Sequence, residues 1–234
     1  WKGPGYNPDA LAARKGGLAI YDAMRLDEQV RACLSFRVAS ILGAGWTLQA
    51  ASEDAADIEF AHLLTEDLLG LPTTFEDVLA QILTALSYGF SLAEELYVED
   101  ERGLHVSEIK VRAPHHIQFD EDGFGGILGV KQLVGMQSLG TTWPIEKFLH
   151  YVNAPEFSNP YGNSELRTAY DAWFAKQFLW QLWMTWSERY ADPPAVAHVP
   201  TGTDAGQRDA LLRILDRLQA RSSFSLPPNW TVEL

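Results

Sequence analysis

Six histidines, one cysteine and thirty-one aspartates and glutamates are the groups with which this chain could do chemistry. Their spacing decides what they can do together. His115 and His116 suggest a metal, but adjacent residues on a strand point to opposite faces, so they do not share one ion. No nearby Cys or spaced His completes a set. Asp120-Glu121-Asp122-Gly123 has the opening of a calcium loop, yet Gln118 and Gly129 stand where acidic ligands are required, so the stretch reads as a hairpin turn. Gly123-Phe124-Gly125-Gly126 fails as a dinucleotide fingerprint: Leu128 replaces the third glycine, and strands flank it on both sides. Gly89-Phe90-Ser91-Leu92-Ala93 lacks the second glycine of a nucleophile elbow and runs from helix to strand, the reverse of that geometry. There is no phosphate-loop lysine motif, and Asn229-Trp230-Thr231 is a glycosylation triplet of the kind that arises by chance. The carboxylates are many, but no spacing places two in a shared site. These residues predict no catalytic, metal or cofactor site. A carboxylate-dependent hydrolase is the alternative from the enzyme class.

The elements that carry these residues belong to a globular chain. Of 234 residues, 47% are hydrophobic and 21% charged, enough to build a sizeable core in one or two domains. Cys33 has no intrachain partner, which fits a reducing compartment. No signal peptide and no run of about 20 apolar residues is present, so no membrane partner is expected. The net charge of −13 is concentrated: residues 38–101 hold thirteen acids and not one Lys or Arg, while the rest of the chain balances eighteen acids with eighteen bases. A protein that grips DNA shows a basic face. The balance here disfavours a sequence-specific DNA binder, though not one that lets DNA slide past.

Residues 1–17, rich in glycine and proline, read as an extended arm. Residues 18–42 have the period of one long amphipathic helix, stopped at Gly43 and Gly45. Trp46 to Gln49 is a strand candidate. Helices are predicted over 54–69 and 74–88, the second capped by Thr74. The period then changes, with short β-like runs at 92–98, 105–111, 117–119, 127–134 and 148–152. Asn159-Pro160-Tyr161-Gly162-Asn163 is a turn, and Asn163 or Ser164 can cap a helix over 165–190 that ends at Asp192-Pro193-Pro194. A strand at 195–199, a helix over 205–221 with Asp204/Arg208 and Asp209/Arg213 pairs, and a strand from Trp230 complete an α+β order.

The helix over 165–190 is unusual. Trp173, Phe174, Phe178, Trp180, Trp183 and Trp186, with Leu179, Leu182 and Met184, nearly encircle it at 100° per residue. The apolar stretch 172–186 has fifteen residues, about 22 Å at 1.5 Å each, too short for a hydrocarbon core of about 30 Å, and Lys176, Gln177 and Gln181 interrupt it. Burial against protein follows, either inside this domain or between subunits, where aromatic residues anchor contacts.

Tyr21-Asp-Ala-Met24-Arg-Leu-Asp27-Glu-Gln-Val30 followed by Trp46 resembles the opening of tailed-phage portal proteins, the Mu-type group in particular. Leu86 to Glu94 resembles the helix-to-strand junction of that family, and Arg112-Ala-Pro114 and Phe148-Leu-His150-Tyr151 also fit. The fullest match runs from Asn159-Pro160-Tyr161-Gly162-Asn-Ser164-Glu-Leu166 through Tyr170, Trp173 and Lys176 to Glu188-Arg189-Tyr190-Ala-Asp-Pro193-Pro194, with Ala191 where glycine is usual.

The resemblance implies a portal fold: an N-terminal arm (1–17), an α/β wing (18–160), a long stem helix (164–190) and an incomplete clip domain (191–234). A second stem helix and a crown are then expected after Leu234. It also implies a structural protein, not an enzyme, that forms a ring, typically of twelve subunits, at one vertex of the phage head. Terminase drives double-stranded DNA through it without sequence specificity, the capsid protein surrounds it, and a head–tail adaptor docks below. Its location would be the virion, and the host cytoplasm during assembly. On this reading Trp173, Phe174, Phe178, Trp180, Trp183 and Trp186 are subunit-interface candidates, and Lys176 and Arg189 are DNA-channel candidates. Another ring-forming head-completion or adaptor protein is the nearest alternative.

Overall fold

Several helix starts are set by side-chain oxygens placed over free amides. The computed structural model describes residues 9–15, 17–101, 103–122, 126–134, 137–190, 196–199, 201–218 and 231–233. Asp9 Oδ1 accepts from the amides of Leu11 (2.9 Å) and Ala12 (3.1 Å) and opens helix α1, Ala10–Arg14. That part of the expected arm is therefore helical, with Leu11 and Ala12 buried. Asp27 does the same for Gln29 and Val30, and it divides the expected single helix 18–42 into α2 (Ala19–Arg25) and α3 (Glu28–Leu42). Helix α4 covers Ala55–Leu69, and α5 covers Phe75–Ile82 behind the predicted Thr74 cap, whose hydroxyl accepts from Asp77 N at 3.2 Å. A short break precedes α6 (Ala85–Tyr88), so 74–88 forms two helical pieces. The predicted strand at Trp46 is absent. Trp46 instead sets its ring edge-on to Phe75 at 4.9 Å and donates its indole N–H to Glu76 at 2.8 Å.

The β region forms two antiparallel sheets. In the first, β2 (Gly103–Arg112), β1 (Phe90–Asp100) and β6 (Phe148–Val152) lie in the order β2-β1-β6, with Leu92 opposite both Arg112 and His150. In the second, the order is β3-β4-β5, from Ile117–Glu121, Ile127–Val134 and Gln137–Trp143. Strand β5 had no expectation, because Gly140 and its polar neighbours hide the alternation that marks a strand. Helices α4 and α5 cover the first sheet: Leu68, Leu71 and Val78 pack with Ala93 and Ile109 in one buried cluster. Asp67 ties α4 to β2 by accepting from Val106 N at 3.2 Å.

Helix α7 spans Glu165–Tyr190, with the predicted limits. Contacts divide the chain into two compact units, Trp1–Asp171 and Ala172–Leu234. In the second, β7 (Val196–His198) pairs antiparallel with β8 (Thr231–Glu233), and α8 (Ala205–Leu218) buries Leu211. The expected continuation of that helix over 219–221 lies outside the described residues. Among those described, no ion pair joins Asp204 to Arg208 or Asp209 to Arg213; Asp204 Oδ2 accepts from Gly206 N at 3.0 Å instead. The mixture of helix and sheet is the one expected from sequence.

Candidate assembly surface on the long helix

Helix α7 begins on a lock built from two glycines. Gly89 ends α6 with φ 93° and leads into β1; Gly162, with φ 56°, closes the turn before α7. A Cβ on Gly89 would meet the backbone oxygen of Tyr161, and one on Gly162 would meet the backbone oxygens of Gly89 and Asn153. Both positions thus need left-handed backbone and close approach, which only glycine supplies without strain. Asn153 joins the two sides. Its amide donates to Gly89 O (2.7 Å), its carbonyl accepts from Asn163 N (2.9 Å), and its side chain donates to Asn163 O (2.8 Å). Ser164 Oγ donates to Ser87 O at 2.5 Å and accepts from Leu166 N at 3.1 Å, so the predicted helix cap also holds α7 to α6.

An aromatic cluster fills the space beneath. Phe90, Phe119 and Tyr161 meet edge-on with centroids 5.0–5.4 Å apart, and His150 lies 4.6 Å from Phe119. Tyr161 OH accepts from Phe119 N at 3.1 Å, and burial pushes its phenol up to about 12. His150 Nε2–H donates to the Pro160 carbonyl at 2.9 Å. Burial lowers the pKa of its imidazole, and this hydrogen bond opposes the shift. Sequence motifs contained Gly89, Tyr161, Gly162 and Ser164; they did not reveal that these residues touch. The role of Asn153 had no sequence signal of its own.

Along its later turns, α7 presents apolar side chains to solvent. Phe174, Phe178, Trp180, Trp183 and Trp186 are each 48–61% exposed, and Leu179, Leu182 and Met184 are exposed as well. Trp173 is half-buried. The rings of Trp180 and Trp183 stack with centroids 5.5 Å apart and planes 16° from parallel; Trp186 and Tyr190 lie 5.3 Å apart. At about 150–250 Å² per aromatic side chain, five half-exposed ones leave about 400–700 Å² of apolar surface in water. That matches or exceeds the largest patch of an ordinary monomer, about 300–600 Å². Among the described residues, α7 is not a central core helix. Of the channel candidates, Lys176 is half-buried on this helix, and the side chain of Arg189 lies outside the described residues.

The histidine pair sits elsewhere and is not on a strand. His115 and His116 belong to a single 3-10 turn begun by Pro114. His115 Nε2 is 2.8 Å from Asp22 Oδ2; Tyr88 OH donates to Asp22 Oδ1 at 2.5 Å, and Arg25 donates to the same hydroxyl at 2.5 Å. Burial, then the Asp22 bond, raises the pKa of the Tyr88 phenol. This network ties α2 to α6. Among the described residues no three His, Cys, Asp or Glu side chains gather as a metal site, and no helix is long and apolar enough to cross a membrane.

Two solved structures illustrate what this architecture is similar to. A chain in the neck of an empty gene transfer agent particle, computed with C6 symmetry, gives a TM-score of 0.59 at 14% identity, covering 86% of this chain and 58% of its own. A chain in the virion of a native gene transfer agent particle gives 0.55 at 12%, covering 86% and 56%. The chain thus spans a little over half the length of either, and the likeness is one of fold. No curated protein matches it. The family model for the portal protein of Mu bacteriophage matches residues 18–234, and the chain belongs to that family.

Proposed function

We propose that the chain is a subunit of a ring at the head–tail vertex of a phage-like particle, and that α7 packs between neighbouring copies. The observation that carries this reading is the all-round aromatic surface of α7. Covering it would remove about 400–700 Å² of apolar surface from water, the main favourable term in protein association. A helix in a closed ring meets neighbours on both sides through unlike surfaces, which suits a surface too wide for one partner. Family membership and the neck and virion location of the structurally similar chains support the same reading.

In this assignment residues 18–160 form the wing, 164–190 the stem and 191–234 part of the clip. The ring, of about twelve copies by family resemblance, sits within the capsid shell, receives DNA from a terminase and releases it past an adaptor. The chain performs a mechanical role and no chemistry. Thirteen carboxylates without a base over 38–101 suit a conduit that repels phosphate rather than retaining it. Contacts with DNA then come from scattered cations such as Lys176 and Arg189, and they weaken as salt rises. Negative-stain images and native mass spectra of the full-length protein test the ring: closed annular particles are expected, and monomer alone at micromolar concentration overturns it. Filter binding on unrelated duplexes tests the conduit. Weak, sequence-indifferent retention is expected, and preference for one sequence overturns it.

A further inference from the structure

A second unfilled surface lies in the first unit. Leu34, Val38 and Leu42 of α3 and Leu83 after α5 line an open groove of about 650 Å³, with Arg25 and Arg31 at one end. None of the fifteen α3 residues is buried, and Leu26 at the groove is 84% exposed. Arg25 is engaged with Tyr88, and the only carboxylate on the lining, Asp22, is engaged with Tyr88 and His115. Arg31 is exposed, and its guanidinium makes no ion pair or hydrogen bond with the described residues. The groove therefore has an apolar strip of Leu34, Val38, Leu42 and Leu83, with the hydroxyls of Ser35, Thr84 and Ser87 also on its lining, and is cationic at one end.

A matching surface exists on the same chain. Helix α4 carries an outward ridge on which Phe60 is 65% and Leu63 49% exposed, with Glu59 and Glu66 beside them, both exposed. Spacings of three and four residues put Glu59, Leu63 and Glu66 on one face. The ridge belongs to the segment 38–101 that has no Lys or Arg, so the one basic side chain on the helix of its acids is His62. We infer that the α3–α5 groove of one copy receives the α4 ridge of the next, Leu63 and Phe60 entering the apolar trough and Glu59 or Glu66 reaching Arg31. This is helix-in-groove recognition with charge complementarity. Groove and ridge are different surfaces, so the contact is heterologous and repeats around a ring. The inference rests on the ring reading and adds to it a pair of surfaces independent of α7.

Disulfide trapping in the full-length protein tests it. In a Cys33→Ser background, Ser35→Cys puts a thiol on the groove wall and Leu63→Cys puts one on the ridge. The chain with both is expected to oxidise into a covalent ladder of dimer, trimer and larger species on a denaturing gel, while each single variant forms no cross-link, because only a close approach of about 4.4–6.8 Å between Cα atoms permits the bond. Rings without a ladder overturn the seating and leave the ring reading standing; neither ring nor ladder overturns both. A dimer from Leu63→Cys alone or Ser35→Cys alone means like faces like, and overturns the seating. Arg31→Glu is expected to lower ring yield about tenfold or more, with partial recovery on adding Glu66→Arg; undiminished assembly of Arg31→Glu overturns the proposal.

Discussion

Two aromatic regions of this chain behave in opposite ways. Around Phe90, Phe119, Tyr161 and His150, rings pack edge to edge, and the one phenol is satisfied by a backbone amide. Along 172–186 of α7, rings of similar size stand half in water. Among the described residues, the first region is enclosed and the second is not. Aromatic content therefore says little about where a core lies. What separates the two is the backbone around them: one cluster is enclosed by strands and a double-glycine turn, the other is carried on a single helix whose circumference exceeds what its own unit covers.

The sharpest way to break this contrast is at the glycine lock. Gly89→Ala and Gly162→Ala each force a Cβ against backbone oxygens at a positive φ. A loss above about 4 kcal/mol is expected for either, seen as insoluble protein or a fall in Tm of about 10 °C or more. Melting close to the unmutated protein would show that the turn relaxes and that the first region is less constrained than described.

Trp183→Ala tests the second region. With its ring 61% exposed, the isolated chain should lose about 1 kcal/mol or less, while the yield of rings falls severalfold or more. A large drop in the Tm of monomeric protein would mean that α7 is covered by its own chain. Parallel melting and native mass measurements separate the outcomes.

His150 supplies a smaller effect with a defined sign. Its pKa is lowered by burial below the ordinary 6.5, so the unfolded chain takes up the proton first. Stability should be full above that value and decline as pH falls below it. Urea titrations between about pH 7.5 and pH 5.5 would show this, and His150→Gln should flatten the slope. Least of all, Arg213→Ala on the exposed face of α8 should change neither melting nor ring yield by more than about 0.5 kcal/mol. A marked assembly defect there would reveal a further interface.

The legible parts of the fold were those governed by neighbours in sequence. The limits of α7 follow from a cap at Ser164 and prolines at 193 and 194, and β1 from the glycine that ends α6. Asp27 was read inside a helix, although its side chain is a ready N-cap, because the apolar period continues across it. Trp46 read as a strand because aromatic and β-branched residues favour one, but its neighbours in space are a ring and a carboxylate on α5. The aromatic side chains of α7 were visible at once, since a helix apolar all round needs no partner to be noticed. The Gly89–Gly162 contact was not, because it joins residues 73 positions apart through backbone atoms that carry no sequence signature.

That last property bears on inheritance. Most damaging substitutions in a core can be rescued by a second one that trims or fills the opposing side chain. At Gly89 the obstacle is the carbonyl of Tyr161, and at Gly162 it is the carbonyls of Gly89 and Asn153. No codon change removes a carbonyl. A selection for suppressors of Gly89→Ala or Gly162→Ala should accordingly return true revertants, or insertions and deletions that move the turn itself, and almost no compensating point mutations elsewhere.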